Sequence, residues 1–240
     1  MTEINSFRMG IRDGFPIFLG YLAVSFAFGI TAVGSGLGVI QALLISMTNL
    51  TSAGQLAAVP IICSGGSLIE LAATQFIINL RYSLMSISLS QKLGKSVKLI
   101  HRFLIAFGNT DEIFAVSVSK PTQLGKKYFF GLIITPYIGW CTGTLLGAVA
   151  GNILPSVVIS ALGIAIYGMF IAIIVPEAKK RRASAFCILC AALFSCAFRY
   201  IPILSRLSGG FVIILCAVPI SLIFALISPI EEEKEVTAND

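Results

Sequence analysis

The chain has 240 residues, 57% of them hydrophobic and only 12% charged, with a mean hydropathy of +0.94. A soluble domain carries about 25% charged residues; half that share cannot cover a surface facing water, which excludes a soluble enzyme, a nucleic-acid binder and a disordered chain. The net charge of +6 sits in short Lys/Arg clusters between apolar runs, where it reads as a topology signal rather than a nucleic-acid patch.

In chain order, residues 1–13 hold Glu3, Arg8, Arg12 and Asp13 and read as a cytoplasmic N-terminal segment. The apolar stretch after them exceeds the roughly 7–15 residues of a signal-peptide core, so it reads as a retained first helix. Charge-free runs extend over Gly14–Ile69, Tyr128–Pro176 and Leu207–Ile230, 56, 49 and 24 residues long. A helical span needs about 20 apolar residues, and a β-barrel would show short alternating segments instead. The expectation is an all-α, polytopic integral membrane protein with six full spans at 15–34, 67–90, 128–150, 155–175, 184–200 and 210–229.

Two further apolar segments, 37–62 and 103–119, are broken by polar residues: Thr48-Asn49-Leu50-Thr51-Ser52 with Gly54-Gln55 in the first, Gly108-Asn109-Thr110-Asp111-Glu112 in the second. If both re-enter, the clusters Arg8/Arg12, Lys92–Arg102, Lys120/Lys126/Lys127 and Lys179–Arg182 share the cytoplasmic side, and only Arg199 and Arg206 fall outside. Both termini are then cytoplasmic. Seven spans is the alternative, since 103–119 is nearly long enough to cross. The acidic tail 231–240 reads as an exposed cytoplasmic end. No linker divides the chain, so 1–240 reads as one domain, and no internal repeat is visible in the residues.

Backbone breaks at membrane depth need polar partners, because an unpaired group in hydrocarbon costs several kcal/mol; in transporters such breaks line the substrate site. If a half-helix begins at Ser52, its free N–H groups suit a carboxylate, with Asn49, Ser52 and Gln55 as polar partners. Asp111 and Glu112 would open a second helix, with Asn109-x-x-Glu112 spaced as a capping box; as carboxylates in a cavity they favour an ammonium group or a proton. Together the breaks could hold both ends of a zwitterion.

Arg81 lies inside the span 67–90, where a charge costs about 2.5–3.5 kcal/mol. It either serves a site or snorkels toward the interface. Glu70 shares its helical face with Thr74 but stands roughly 16 Å away along the axis, too far to pair; Asn79 points nearly opposite. Neither catalytic set nor cofactor nor metal site is expected. His101 is the only histidine and reads as solvated in a basic loop; Cys187 and Cys190 lack a second pair, and zinc needs four ligands or three plus water. Trp140 and Tyr137 read as packing or interface residues.

The stretch Gln55–Ser90, with its Asn79-Leu80-Arg81, the run Thr110-Asp111-Glu112-Ile113-Phe114-Ala115 and the opening Gly14-Phe15-Pro16 resemble the AzlC family, the large subunit of branched-chain amino-acid exporters. The resemblance covers about residues 8–228. Two departures stand out: Tyr82 replaces the usual histidine after Asn-Leu-Arg, and the Ala-Gly of the first break reads Thr51-Ser52, with the glycine displaced to Gly54. The resemblance implies a cell-membrane exporter of branched-chain and similar small apolar amino acids, driven by the proton gradient and acting with a small AzlD-like membrane partner. Substrate contacts are then expected at Asn49, Ser52, Gln55, Asn79 and Arg81, and proton coupling at Asp111 and Glu112. The alternative is a non-transporting membrane subunit or sensor that regulates a partner.

Overall fold

The computed structural model describes residues 3–151, 153–155, 157, 168, 171, 174–176, 178–179, 181–201 and 207–228. The expected span 155–175 lies almost wholly outside these residues, as do Arg206 and the tail 231–240. Among the described residues every regular element is a helix. The chain divides into two compact units, residues 1–170 and 171–240.

The first unit is organised around α1 (Phe7–Gly34) and α7 (Lys126–Gly151). They lie side by side and run parallel: Gly10 meets Tyr128 and Leu132, Gly139 meets Phe18, Gly143 meets Leu22, Gly147 meets Phe26 and Gly151 meets Ile30. Gly139, Gly143, Gly147 and Gly151 recur at every fourth residue, so one stripe of α7 is bare backbone. Small-xxx-small stripes let membrane helices approach closely where no hydrophobic effect drives them together. A methyl group at Gly147 would collide with the Phe26 carbonyl.

In the chain, between these two come α2 (Val39–Thr48), α3 (Ser52–Cys63), α4 (Leu68–Ser90), α5 (Leu99–Phe107) and α6 (Asp111–Val118). The α2–α3 hairpin starts beside the C-terminal end of α1, where Leu37, Ala42 and Val59 join Phe28, Ala32 and Ala148 in one apolar cluster. Its tip reaches Tyr137, whose hydroxyl donates to the Met47 carbonyl at 3.1 Å. Helix α4 then runs the full length of the unit. It begins at Ser67, whose Oγ accepts the Glu70 N–H at 3.1 Å. It ends beside the start of α7, where the Gly94 N–H donates to Leu124 and the Leu124 N–H to Lys92, both at 2.8 Å. Its 23 residues span about 34 Å against a hydrocarbon core of about 30 Å.

From there α5 rises and α6 returns. The His101 ring packs on Phe130 at 5.8 Å and Phe107 on Tyr137 at 6.2 Å, so α5 climbs along α7. Thr110 lies beside Tyr21, and Lys120 beside Asp13 at 2.6 Å, so α6 descends along α1. Each broken segment therefore enters and leaves at a single end of the α1/α7 pair, and the two do so at opposite ends. Re-entry fits better than a crossing by 103–119: each half-helix is too short to cross, and parallel α1 and α7 fit one intervening passage, that of α4, rather than two. The second broken segment also begins at Leu99 rather than at 103.

The order span–hairpin recurs with reversed direction, α1–α2–α3 and then α4–α5–α6. This is an inverted-topology repeat of the kind many transporters use, and the residues do not reveal it. The clusters Arg8/Arg12, Lys92–Arg102 and Lys120–Lys127 gather at one end of the unit, as re-entry demands. His101 is a correction: it lies in α5, half-buried, and its Nδ1 accepts the Lys98 N–H at 3.0 Å.

In the second unit α8 (Arg182–Tyr200) packs against α9 (Gly209–Ile227). Helices α1, α7, α8 and α9 are each long and apolar enough to cross a membrane; α4, at the expected span 67–90, is long enough but, carrying Glu70 and Arg81, too polar to stand among them. The protein is thus an all-helical, multi-pass membrane protein.

Candidate functional site

The tips of the two hairpins face each other across α4. Between them lies a cavity of about 160 Å³ lined by Thr48, Asn49, Leu50 and Thr51 from the first tip, Ala106, Phe107, Asn109 and Thr110 from the second, and Asn79 and Tyr82 from α4. Gln75, Asn79, Tyr82 and Ser86 follow a helical i, i+4, i+7, i+11 spacing, so one stripe of α4 turns its polar groups to both tips.

The first tip is tied down by amides. Gln55 is fully buried; its Nε2 donates to the Asn49 carbonyl at 2.7 Å and to Ser46 Oγ at 3.1 Å. Ser46 in turn lies 2.6 Å from Thr144 Oγ1 on α7. Gln75 bridges to α4: its Nε2 donates to the Gly54 carbonyl at 2.8 Å, while its Oε1 accepts from Asn49 at 3.2 Å and from Asn79 at 3.3 Å. Helix α3 starts at Ser52 with Thr51 as its N-cap and no acidic residue in its first turn. Its positive dipole end therefore meets the cavity without a compensating carboxylate.

The second tip is held by charge. Arg81 forms an ion pair with Asp111 at 2.8 Å, with side chains 48% and 44% exposed. It also donates to the Tyr82 hydroxyl at 3.1 Å and lies over that ring at 4.8 Å. Arg81 thus reaches the hairpin tip. The Tyr21 hydroxyl sits 2.6 Å from Thr110 Oγ1 and 2.5 Å from Glu112 Oε2. The capping box expected at Asn109-x-x-Glu112 is absent. Thr110 is the N-cap and accepts no cap hydrogen bond, because its hydroxyl and the Glu112 carboxylate are both drawn to Tyr21. Asn109 donates to Ser86 Oγ at 3.1 Å.

The cavity thus has two poles. On one side stands the uncompensated α3 start. On the other stand Asp111 and Glu112 in the first turn of α6, next to the lining residues Asn109 and Thr110. An uncompensated helix start suits an anionic group; carboxylates suit a cation.

Of the expected site residues, Asn49 and Asn79 line the cavity, and Arg81 and Asp111 pair at its edge. Glu112 is bound to Tyr21. Ser52 opens α3 behind Thr51, and Gln55 braces the tip from the side away from the cavity. Glu70 and Thr74 are buried on α4 nearer its start. Trp140 is buried against the Tyr21 ring at 5.1 Å, a packing role as expected. The sequence reading missed Tyr21, Gln75, Tyr82 and Ser86 as participants. The α4 residues carried a signal, four polar side chains at helical spacing in an apolar span; Tyr21 carried none.

Comparison with known proteins agrees with this architecture. The family model described as AzlC protein matches residues 16–154, the stretch that holds most of α1 and all of α2 to α7. An uncharacterized membrane protein of Archaeoglobus fulgidus is 35% identical over 187 residues, covering 77% of this chain and 82% of that protein. Inner membrane protein YgaZ of Escherichia coli is 26% identical over 186 residues, covering 74% and 76%. No solved structure matches. The chain belongs to the AzlC family of membrane proteins.

Proposed function

We propose that this chain is the large subunit of a secondary exporter of branched-chain and similar small apolar amino acids, with the cavity between the hairpin tips as its substrate site. The observation that carries the reading is the convergence of two half-helix starts, from opposite ends of the α1/α7 pair, on one polar cavity. The substrate carboxylate sits at the start of α3 near Asn49 and Ser52. The ammonium group sits at the second tip, near Asn109 and Asp111, and the apolar side chain lies against Leu50, Ala106 and Phe107. Gln55 keeps the first tip in register.

Arg81 and Asp111 form the movable element of the site. An ion pair about half open to solvent is worth little to stability, about 0–1 kcal/mol, so a zwitterion can exchange with it at small cost. A proton arriving at Asp111 or Glu112 would free Arg81 or Tyr21 and loosen the second tip, which couples proton entry to release of the substrate. The inverted repeat supplies two equivalent gates, one hairpin opening to each side. The substrate class, the proton coupling and a small AzlD-like partner rest on the motif resemblance alone, and the cell-membrane location with cytoplasmic termini on the charge pattern.

The test is efflux. Cells expressing the chain with its small partner are loaded with leucine- and isoleucine-containing dipeptides, and external amino acids are followed over minutes. Leucine appears outside faster than in empty-vector cells, and both Arg81→Ala and Asp111→Asn abolish the gain with the protein still in the membrane. Unchanged efflux in both variants removes the site assignment; no gain in the wild type removes the substrate class and favours a regulatory subunit.

A further inference from the structure

Helix α5 is thinly packed. It has nine residues, of which only Ile105 is buried, while Leu99, Ile100, Phe103, Leu104 and Phe107 are exposed. A helix this short is not stable alone and keeps its place through whatever packs against it. On its α4 side lies an apolar groove of about 240 Å³, walled by Leu89, Leu93, Leu99 and Phe103, with Arg102 among its lining residues.

The charges around this groove are uneven. The Arg102 guanidinium has no hydrogen bond or ion pair among the described residues, and neither do the ammonium groups of Lys95 and Lys98 just before it. Lys92 is engaged with the Lys120 carbonyl at 2.7 Å. The neighbouring acid, Glu3, is taken up by the backbone and hydroxyl of Ser96. The groove is therefore hydrocarbon along its length with one unneutralised cation in its lining, Arg102, and with Lys98 next in the chain to its lining residue Leu99. The complementary molecule is acidic at one end and hydrocarbon elsewhere.

We infer that this groove binds an anionic phospholipid, one acyl chain against Leu89, Leu93 and Phe103 and the phosphate on Arg102 with Lys95 and Lys98. Basic groups at the membrane surface next to helix clefts are suited to such head groups. Because α5 carries the second tip, Phe107 to Thr110, an occupied groove holds that wall of the cavity in place. A partner helix is a poorer match, since it would leave the cations without an anion.

The purified full chain in detergent is titrated with phosphatidylglycerol or phosphatidylcholine, and bound lipid is counted by native mass spectrometry. Phosphatidylglycerol is retained at least fivefold more strongly, Arg102→Ala loses about fivefold of that preference, and Arg102→Lys keeps it. Ser90→Trp, at a residue that lines the groove and not the substrate cavity, weakens retention of phosphatidylglycerol. Glycerol 3-phosphate, the head group without chains, does not compete. Equal retention of the two lipids, an unaltered preference in Arg102→Ala, competition by glycerol 3-phosphate, or a photo-crosslinker at Phe103 that captures polypeptide instead of lipid would each overturn the assignment.

Discussion

Gly147→Ala tests the parallel packing of α1 and α7. The added Cβ would run into the carbonyl of Phe26 and its Cα at 2.9 Å. The obstacle is backbone in the middle of a long helix, so no rotamer change relieves it and the two helices must separate. Overpacking of this kind costs typically 1–3 kcal/mol, and a backbone obstacle places it near 3. In a protein of 150–250 residues each kcal/mol moves the unfolding midpoint by about 2–4 °C, a loss of about 6–12 °C. Gly20→Ala is the control: a Cβ there meets nothing within 4 Å, and replacing a helical glycine gains about 0.5–1 kcal/mol. Unfolding is followed in detergent with a thiol-reactive dye, which reads buried Cys216 and half-buried Cys141 as they become exposed. If Gly147→Ala melts within a degree of Gly20→Ala, the α1/α7 seam is wrong, and with it the crossing parity.

Further outcomes follow from the polar contacts. Tyr21→Phe removes the hydroxyl shared by Thr110 and Glu112; a hydrogen bond to a charged group is worth about 1.5–3 kcal/mol, so the midpoint falls and efflux slows, whereas an unchanged midpoint would mean that Tyr21 does not hold the tip. Gln55→Ala leaves the Asn49 carbonyl and Ser46 short of a donor and costs about 1–3 kcal/mol, measured by the same melt. Arg81→Ala and Asp111→Asn each shift stability by less than about 1 kcal/mol while abolishing efflux; a large melting shift with transport retained would make the pair structural.

The breaks could be read from the sequence because polar runs such as Thr48–Ser52 and Gly108–Glu112 have no place in a helix facing lipid. Re-entry could be read from the charges, since Lys92–Arg102 would otherwise leave the other basic clusters. The four glycines from Gly139 to Gly151 were in plain view, yet their partner was not: close approach of α1 depends on two helices more than a hundred residues apart. The capping box failed for a related reason. Local spacing offered Glu112 to the backbone, but the Tyr21 hydroxyl, 91 residues away in sequence, took it. Residues whose partners are local were legible, and those whose partners come from another helix were not.

The central claim is that both broken segments re-enter beside the α1/α7 pair and meet at α4. Single cysteines placed at Lys95 and Ser119, which bracket α5–α6, and at Ser35 and Ser64, which bracket α2–α3, would be labelled in a cysteine-free background with a membrane-impermeant maleimide. Right-side-out and inside-out vesicles give the side. The account predicts that Lys95→Cys and Ser119→Cys label from one side, and that Ser35→Cys and Ser64→Cys label from the other. Labelling of Lys95→Cys and Ser119→Cys from opposite sides would show that the second segment crosses, and the meeting of the two tips would fall with it.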